Sequence, residues 1–319
     1  CGDLRYAYQN ASGWHSRTVD SKGDVGLYTS LALEPTAPYT VHISYYDATN
    51  QRAKYAYQAA SDWYSQAVGR GFPGGQYTSL ALDEDGDPHI SYFRHYFGDL
   101  VYVERISPTT WLSSTVDYHS EPLKEVGRFS SLALDANGQA HISYHDNGDL
   151  KYAHGYATFP AGWPSRTWVD SGPVGAYTSL ALDSDAYVHI SHYDWRNGNL
   201  KYAYQNASGW YSQTVDHAGD VGLYTSLALD HYDHAHISYY DTQRADLRYA
   251  YYTTHTLPSV PILLQPPTGT VTTSHAITLR WRAGGGLSPD GYNVQLDDEI
   301  ISTTGTMSPT ILALGMYTW

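Results

Sequence analysis

The chain is poor in cysteine, methionine, phenylalanine and positive charge. Its single cysteine, Cys1, rules out an internal disulfide, so stability must come from a packed core, for which 319 residues are ample. Lys and Arg number 18 against 32 Asp and Glu, a formal net charge of −14. Such a chain lacks the basic footprint of a nucleic-acid binder, and no nucleic-acid partner is expected. No run approaches the roughly 18 consecutive apolar residues of a membrane span. No leader pattern opens the chain, and if the protein is exported its leader is expected to have been removed. Neither an HExxH motif nor a cysteine pair is present, so no zinc site is expected, and nothing points to another cofactor. Segments of helical period are also missing.

Aromatic residues of one kind are abundant: 32 Tyr and 9 Trp against 5 Phe. Each buries a large apolar body and keeps one polar handle, which suits strands and packed sheet faces. They recur in order. HISYYD at His42–Asp47 returns as HISYFR at His89–Arg94, HISYHD at His141–Asp146, HISHYD at His189–Asp194 and HISYYD at His236–Asp241. The steps between the histidines are 47, 52, 48 and 47 residues. Each unit holds four short segments: YTSLALD (Tyr224–Asp230), HISYYD, LKYAY (Leu200–Tyr204) and W-x-S-x-T-V-D (Trp14–Asp20, Trp210–Asp216). Turn sequences such as Asp83–Pro88, Asp135–Gln139 and Gln205–Gly209 separate them. Four antiparallel strands per unit predict an all-β fold built as a β-propeller. LKYAY-type segments occur six times and the other three types five times each. Five blades are therefore expected, with the N-terminal strands pairing into the last blade and one third-type strand left over.

The unit S-L-A-L-D-x-x-G-x-x-H-I-S-Y-Y-D-x₅-L-K-Y-A, over about Gly2–Tyr252, resembles repeats of large secreted and surface proteins of bacteria. These are similar to the BNR-like propellers of sialidases, lectins and some polysaccharide lyases. The resemblance implies the architecture and an extracellular or cell-surface setting. The turn reads L-D-x-x-G-x-x-H-I-S and departs from the sialidase Asp-box S-x-D-x-G-x-T-W, which argues against sialidase chemistry. Cys1 fits the lipidated cysteine of a bacterial lipoprotein. It also aligns with Asn147 and Asn197 of later repeats, as an ordinary member of the unit.

A histidine at the same place in every unit follows the repeat, whereas a catalytic site is single. His42, His89, His141, His189 and His236 are expected to be structural, and Asp47, Asp146, Asp194 and Asp241 to cap turns. Asp83–Asp87 has the look of a calcium loop, but the equivalent turns do not keep the ligands, so no metal site is expected. Asn10-Ala11-Ser12 and Asn206-Ala207-Ser208 match the glycosylation sequon and are equally explained as turns.

Symmetry breaks at Arg94, followed by His95-Tyr96-Phe97; at His145 and His192, which replace tyrosines; at Trp195-Arg196; and in the longer loop Tyr118–Gly127. Arg94, His95, His145, His192 and Trp195 are the candidate ligand-binding residues. In a lyase, Arg94, His95, His145 and His192 could neutralise a uronate and move a proton.

Residues 253–268 are proline-rich and read as a linker. Ala276–Trp281, Gly291–Asp298 and Pro309–Trp319 resemble the start of a fibronectin III or Ig-like sandwich, giving a propeller over 1–252 and an incomplete sandwich over 269–319. Missing strands would leave an edge for self-association or neighbouring subunits. Gly2–Glu34 matches Gly198–Asp230 at 26 of 33 positions, too alike for much specialisation. The expectation is a non-enzymatic extracellular scaffold for surface display, adhesion or self-assembly, with glycan binding, as a lectin or a lyase-like enzyme, as the alternative.

Overall fold

The computed structural model describes residues 2–251 apart from 35–38, 61, 70, 120–123 and 158–161, and then the backbone of short strands between 262 and 318. The chain divides into two compact units, Cys1–Tyr251 and Tyr252–Trp319.

The first unit is all-β, a five-blade β-propeller. A hairpin of β1 (Leu4–Asn10) and β2 (Gly13–Asp20) precedes the blades. The first blade is β3 (Val25–Leu33), β4 (Val41–Asp47), β5 (Arg52–Ala59) and β6 (Asp62–Ala67). The second is β7 (Gln76–Leu82), β8 (Pro88–Arg94), β9 (Asp99–Ser107) and β10 (Thr110–Asp117). The third is β11 (Val126–Leu134), β12 (Ala140–Asp146), β13 (Asp149–Gly155) and β14 (Ser165–Asp170). The fourth is β15 (Ala176–Leu182), β16 (Val188–Asp194), β17 (Asn199–Asn206) and β18 (Gly209–Asp216). The fifth has three strands, β19 (Val221–Leu229), β20 (Ala235–Asp241) and β21 (Asp246–Tyr251). Every blade is an antiparallel meander. The turns between second and third strands, and the connections from one blade to the next, therefore share one end of the unit.

Second strands are covered on both sides, which explains why HISYY is apolar or hydrogen-bonded on both faces: β4 is buried along its whole length. Each core lies between blades, as with Tyr55, Ile90, Tyr92, Val101 and Val103 between the first and second. Full burial of each such side chain stabilises by about 1.5–3 kcal/mol. Hydrogen bonds from the T-S-L and H-I-S motifs cross the same boundaries. Ser44 meets Thr78 at 2.8 Å, Thr78 donates to the Tyr28 carbonyl at 2.6 Å, and the Leu80 amide donates to Ser30 at 3.0 Å. Corresponding hydroxyl pairs join Ser91 to Ser130, Ser143 to Thr178 and Thr225 to Ser191.

A glycine at the start of each blade, Gly26, Gly75, Gly127, Gly175 and Gly222, marks a close approach. A Cβ on Gly127 (φ +106°) would lie 2.6–2.7 Å from Leu100 of the preceding blade. Two residues on, an aromatic sits at a bulge with left-handed backbone: Tyr28, Tyr77, Phe129, Tyr177 and Tyr224, all at φ between 52° and 56°. That conformation costs about 1–2 kcal/mol per non-glycine residue. Ring contacts offset it, successive centroids being 4.5 to 4.6 Å apart from Tyr28 to Tyr224. Tyr46, Phe93, His145, Tyr193 and Tyr240 form a second tier against these five at 6.2–6.4 Å.

The expected closure is not made. β2 pairs with β1 alone, and β21 pairs with β20 alone among the described residues. The reason lies in Leu4, which fills the seat beneath Gly26 that Leu100 fills beneath Gly127. The hairpin thus packs as the outer half of a blade ahead of β3. Leu31 of β3 is consequently 50% exposed, against 7–8% for Leu80, Leu132, Leu180 and Leu227.

In the second unit, Ile262–Gln265 pairs with Arg280–Arg282, Val271–Thr272 with Tyr317–Thr318, Ala276–Thr278 with Thr310–Leu312, and Gly291–Leu296 with Glu299–Thr304. Among the described residues these pairs do not amount to two packed sheets, so the expected Ig-like or fibronectin III sandwich is not supported. Its loops, its side chains and the edge near Trp319 lie outside the described residues.

Candidate functional site: a cleft on the second blade

Each repeated histidine bridges two strands of its own blade. His42 Nδ1 meets the Tyr55 hydroxyl at 2.6 Å and its Nε2 meets Glu34 at 3.2 Å. His89 joins Tyr102 to Asp83, His189 joins Tyr202 to Asp183, and His236 joins Tyr249 to Asp230. His141 meets Tyr152 at 2.6 Å and stands 3.6 Å from Asp135. Burial lowers the pKa of His42 and His141. A carboxylate–imidazole–phenol relay in five copies gives no blade a distinct chemistry.

A second constellation recurs across blade boundaries. Tyr45 donates to Asp20 at 2.7 Å beside Lys54, Tyr144 donates to Asp117 at 2.8 Å beside Lys151, and Tyr239 donates to Asp216 at 2.7 Å beside Arg248. The fourth blade keeps Asp170 and Lys201 but places His192 where the tyrosine stands. His192 is 0% exposed, 3.6 Å from Asp170, and neither ring nitrogen is hydrogen-bonded. Burial pushes its pKa down to about 4. In the second blade both charges are gone: Gly69 replaces the aspartate and Val101 the lysine, and only Tyr92 remains. Losing both together is the physically favourable course, since removing one would leave the other buried and uncompensated.

Beside this altered boundary lies a cleft of about 390 Å³ lined by Phe72, Arg94, Phe97, Asp99, Thr115, Tyr118 and His119. Its parts come from the β6–β7 connection, the β8–β9 turn and the end of β10, which the meander brings to one end of the unit. The Arg94 guanidinium grips Asp99 through two hydrogen bonds of 2.9 and 2.5 Å, reaches Thr115 at 3.3 Å, and lies 4.7 Å from the Phe97 ring centre. Phe72 and Tyr96 pack edge-on against Phe97 at 5.1 and 4.8 Å. Phe72, Phe97 and Tyr118 are 52%, 48% and 64% exposed. His119 Nε2 meets the carboxylate of the buried Asp146 of the third blade. The cleft thus presents exposed aromatic faces around a fixed donor–acceptor pair.

Of the residues singled out from sequence, Arg94 lines this cleft. His95 follows it in the turn, its Nδ1 buried without a hydrogen bond. His145 belongs to the inner aromatic tier, where it packs on Phe129 and accepts the Gly148 amide at 3.0 Å. Burial lowers its pKa as well. Trp195 is exposed in the β16–β17 turn, its amide bonded to the Pro173 carbonyl. Arg94, His145 and His192 stand in three different blades, and no described hydrogen bond or ion pair links them. Phe72, Asp99 and Thr115 escaped the sequence reading, and His119 entered it only within the loop Tyr118–Gly127. The rarity of phenylalanine was the available signal, because Phe72 and Phe97 are two of 5 in the chain.

No family model matches the chain, and no curated protein does. Solved structures do. A Dyadobacter fermentans protein of unknown function is 10% identical, with a TM-score of 0.54 over 75% of this chain and 79% of its own. An Aleuria aurantia lectin in complex with Fucα1-6GlcNAc is 11% identical, with a TM-score of 0.53 over 79% of this chain and 85% of its own. The same lectin with α-methyl-L-fucoside gives 0.52 at 10% identity, over 78% and 87% of the two chains. At such identities the likeness is one of fold, and the fold that this chain shares with them is the β-propeller.

Proposed function

We propose that the protein is a non-catalytic, extracellular carbohydrate-binding propeller with its principal site in the second-blade cleft. The observation that carries this reading is the convergence of Phe72, Phe97 and Tyr118 on the Arg94–Asp99 pair. Sugar rings offer C–H faces that pack on aromatic faces and hydroxyls that both donate and accept. Arg94 donates and Asp99 accepts, each held in place by the other. Because both Asp99 oxygens are bonded to Arg94, the described residues of the cleft lack the free pair of carboxyl groups that glycoside hydrolysis uses. The lectin resemblance in fold is compatible with this reading. The closely matched repeats at Gly2–Glu34 and Gly198–Asp230 suit a rigid frame around one specialised blade.

A glycan array followed by titration calorimetry tests the proposal. Phe97→Ala is expected to weaken the best glycan by tenfold or more, on the order of 1–3 kcal/mol of lost aromatic contact. An array with no hits, or an affinity that Phe97→Ala leaves unchanged, would remove the reading.

A further inference from the structure

The boundary between the first and second blades lacks a carboxylate that the others have. Elsewhere Asp20, Asp117 and Asp216 accept a tyrosine hydroxyl, and Asp170 faces His192. Here Gly69 supplies no side chain, and a Cβ on it would lie 2.3 Å from the Tyr92 hydroxyl. Tyr92 is 4% exposed and lines a cavity, and its hydroxyl makes no hydrogen bond among the described residues. Burial pushes its pKa up to about 12, so it remains a donor. The cavity, of about 140 Å³, is lined also by Asn50, Gln51, Arg52 and Phe72. Arg52 makes no ion pair among the described residues. Its wall therefore offers a hydroxyl donor without an acceptor, the exposed Arg52 cation and the Gln51 amide, while the Asn50 amide donates to Asp47 at 2.8 Å. Phe72 is common to its wall and that of the adjoining cleft.

We infer that the ligand is an acidic sugar, whose carboxylate enters this cavity against Tyr92 and Arg52 while its ring lies on Phe72 and Phe97. The ligand then returns the carboxylate that the repeat supplies at the other boundaries. At about 30 Å³ per water in the liquid, the cavity has room for a carboxylate and its attached carbon. The inference rests on the carbohydrate reading and adds the charge of the sugar.

The test pairs glycans bearing galacturonate, glucuronate or sialate with their methyl esters, on the full chain, by titration calorimetry. At least one acid is expected to bind about tenfold or more tightly than its ester, as a charge-assisted hydrogen bond implies. Tyr92→Phe and Arg52→Gln should each erase most of that preference while leaving ester affinity and thermal midpoint near the parent values. Phe97→Ala should weaken acid and ester alike. Equal affinity for acid and ester, or a preference that survives both Tyr92→Phe and Arg52→Gln, overturns this inference and leaves the carbohydrate reading standing. Binding of no glycan overturns both.

Discussion

Tyr45 donates its hydroxyl to Asp20 across a blade boundary at 2.7 Å, and the same carboxylate holds Lys54. In the second blade the two charges of the triad are absent together, through Gly69 and Val101. Tyr45→Phe is therefore expected to cost about 1 kcal/mol, and Asp20→Asn about 3–5 kcal/mol because Lys54 is left buried. The double variant Asp20→Gly/Lys54→Val should cost less than the sum of its single variants. Urea denaturation of the four proteins of the cycle measures that coupling.

His192 should give the propeller an acid-sensitive boundary. Its folded pKa of about 4 lies below the ordinary 6.5. Between these values the unfolded chain takes up a proton that the native chain refuses. Its contribution to stability is therefore full above pH 6.5 and declines as pH falls towards 4. His192→Tyr restores the residue of the other blades and a donor to Asp170. The variant is expected to be more stable by about 1 kcal/mol at neutral pH, with a larger gain at pH 5. Thermal midpoints of both proteins across that window decide it; a constant difference would show that His192 does not titrate there.

Gly127 is fixed by contact as well as by dihedral angle. Gly127→Ala drives a methyl group into Leu100 and should cost at least about 2 kcal/mol. Gly138 also has positive φ (+71°) but open space around it, so Gly138→Ala should cost only about 1 kcal/mol. Similar midpoints for the two variants would show that the close approach is not what selects glycine.

Arg94→Lys keeps the charge and loses the planar fork. With one hydrogen bond to Asp99 instead of two, and no flat group over Phe97, glycan affinity is expected to fall about tenfold at nearly unchanged stability. Calorimetry beside a thermal melt separates the two effects.

The strands were legible because the repeat imposes one pattern five times, and period and turn residues suffice for that. Arg94 and Phe97 were legible as departures from the pattern. Phe72 was not, since it meets Phe97 across a blade boundary and over 25 positions of sequence, a contact set by the ring of blades. Gly69 could have been read from Trp63–Gly69, where W-Y-S-Q-A-V-G stands for W-x-S-x-T-V-D. Its meaning needed Tyr92 beside it. The left-handed backbone of Tyr28 and its four counterparts has no sequence signal, because tyrosine is not the residue that such dihedrals favour. The closure of the ring was misjudged because Leu4 suits a seat beneath Gly26 as well as it suits a place in the last blade.

The hydroxyl and amide bonds that the T-S-L and H-I-S motifs make between blades join residues 34 to 53 positions apart, always in consecutive blades. Energetically the propeller is then a linear array of near-identical units, each stabilised by its two neighbours. Such an array unravels from its ends. Amide exchange should be fastest in β21, whose Leu247 and Tyr249 lack the cover of their counterparts, and slowest in β8 and β12. The second blade thus sits in the slow-opening interior, where local unfolding rarely reaches the cleft.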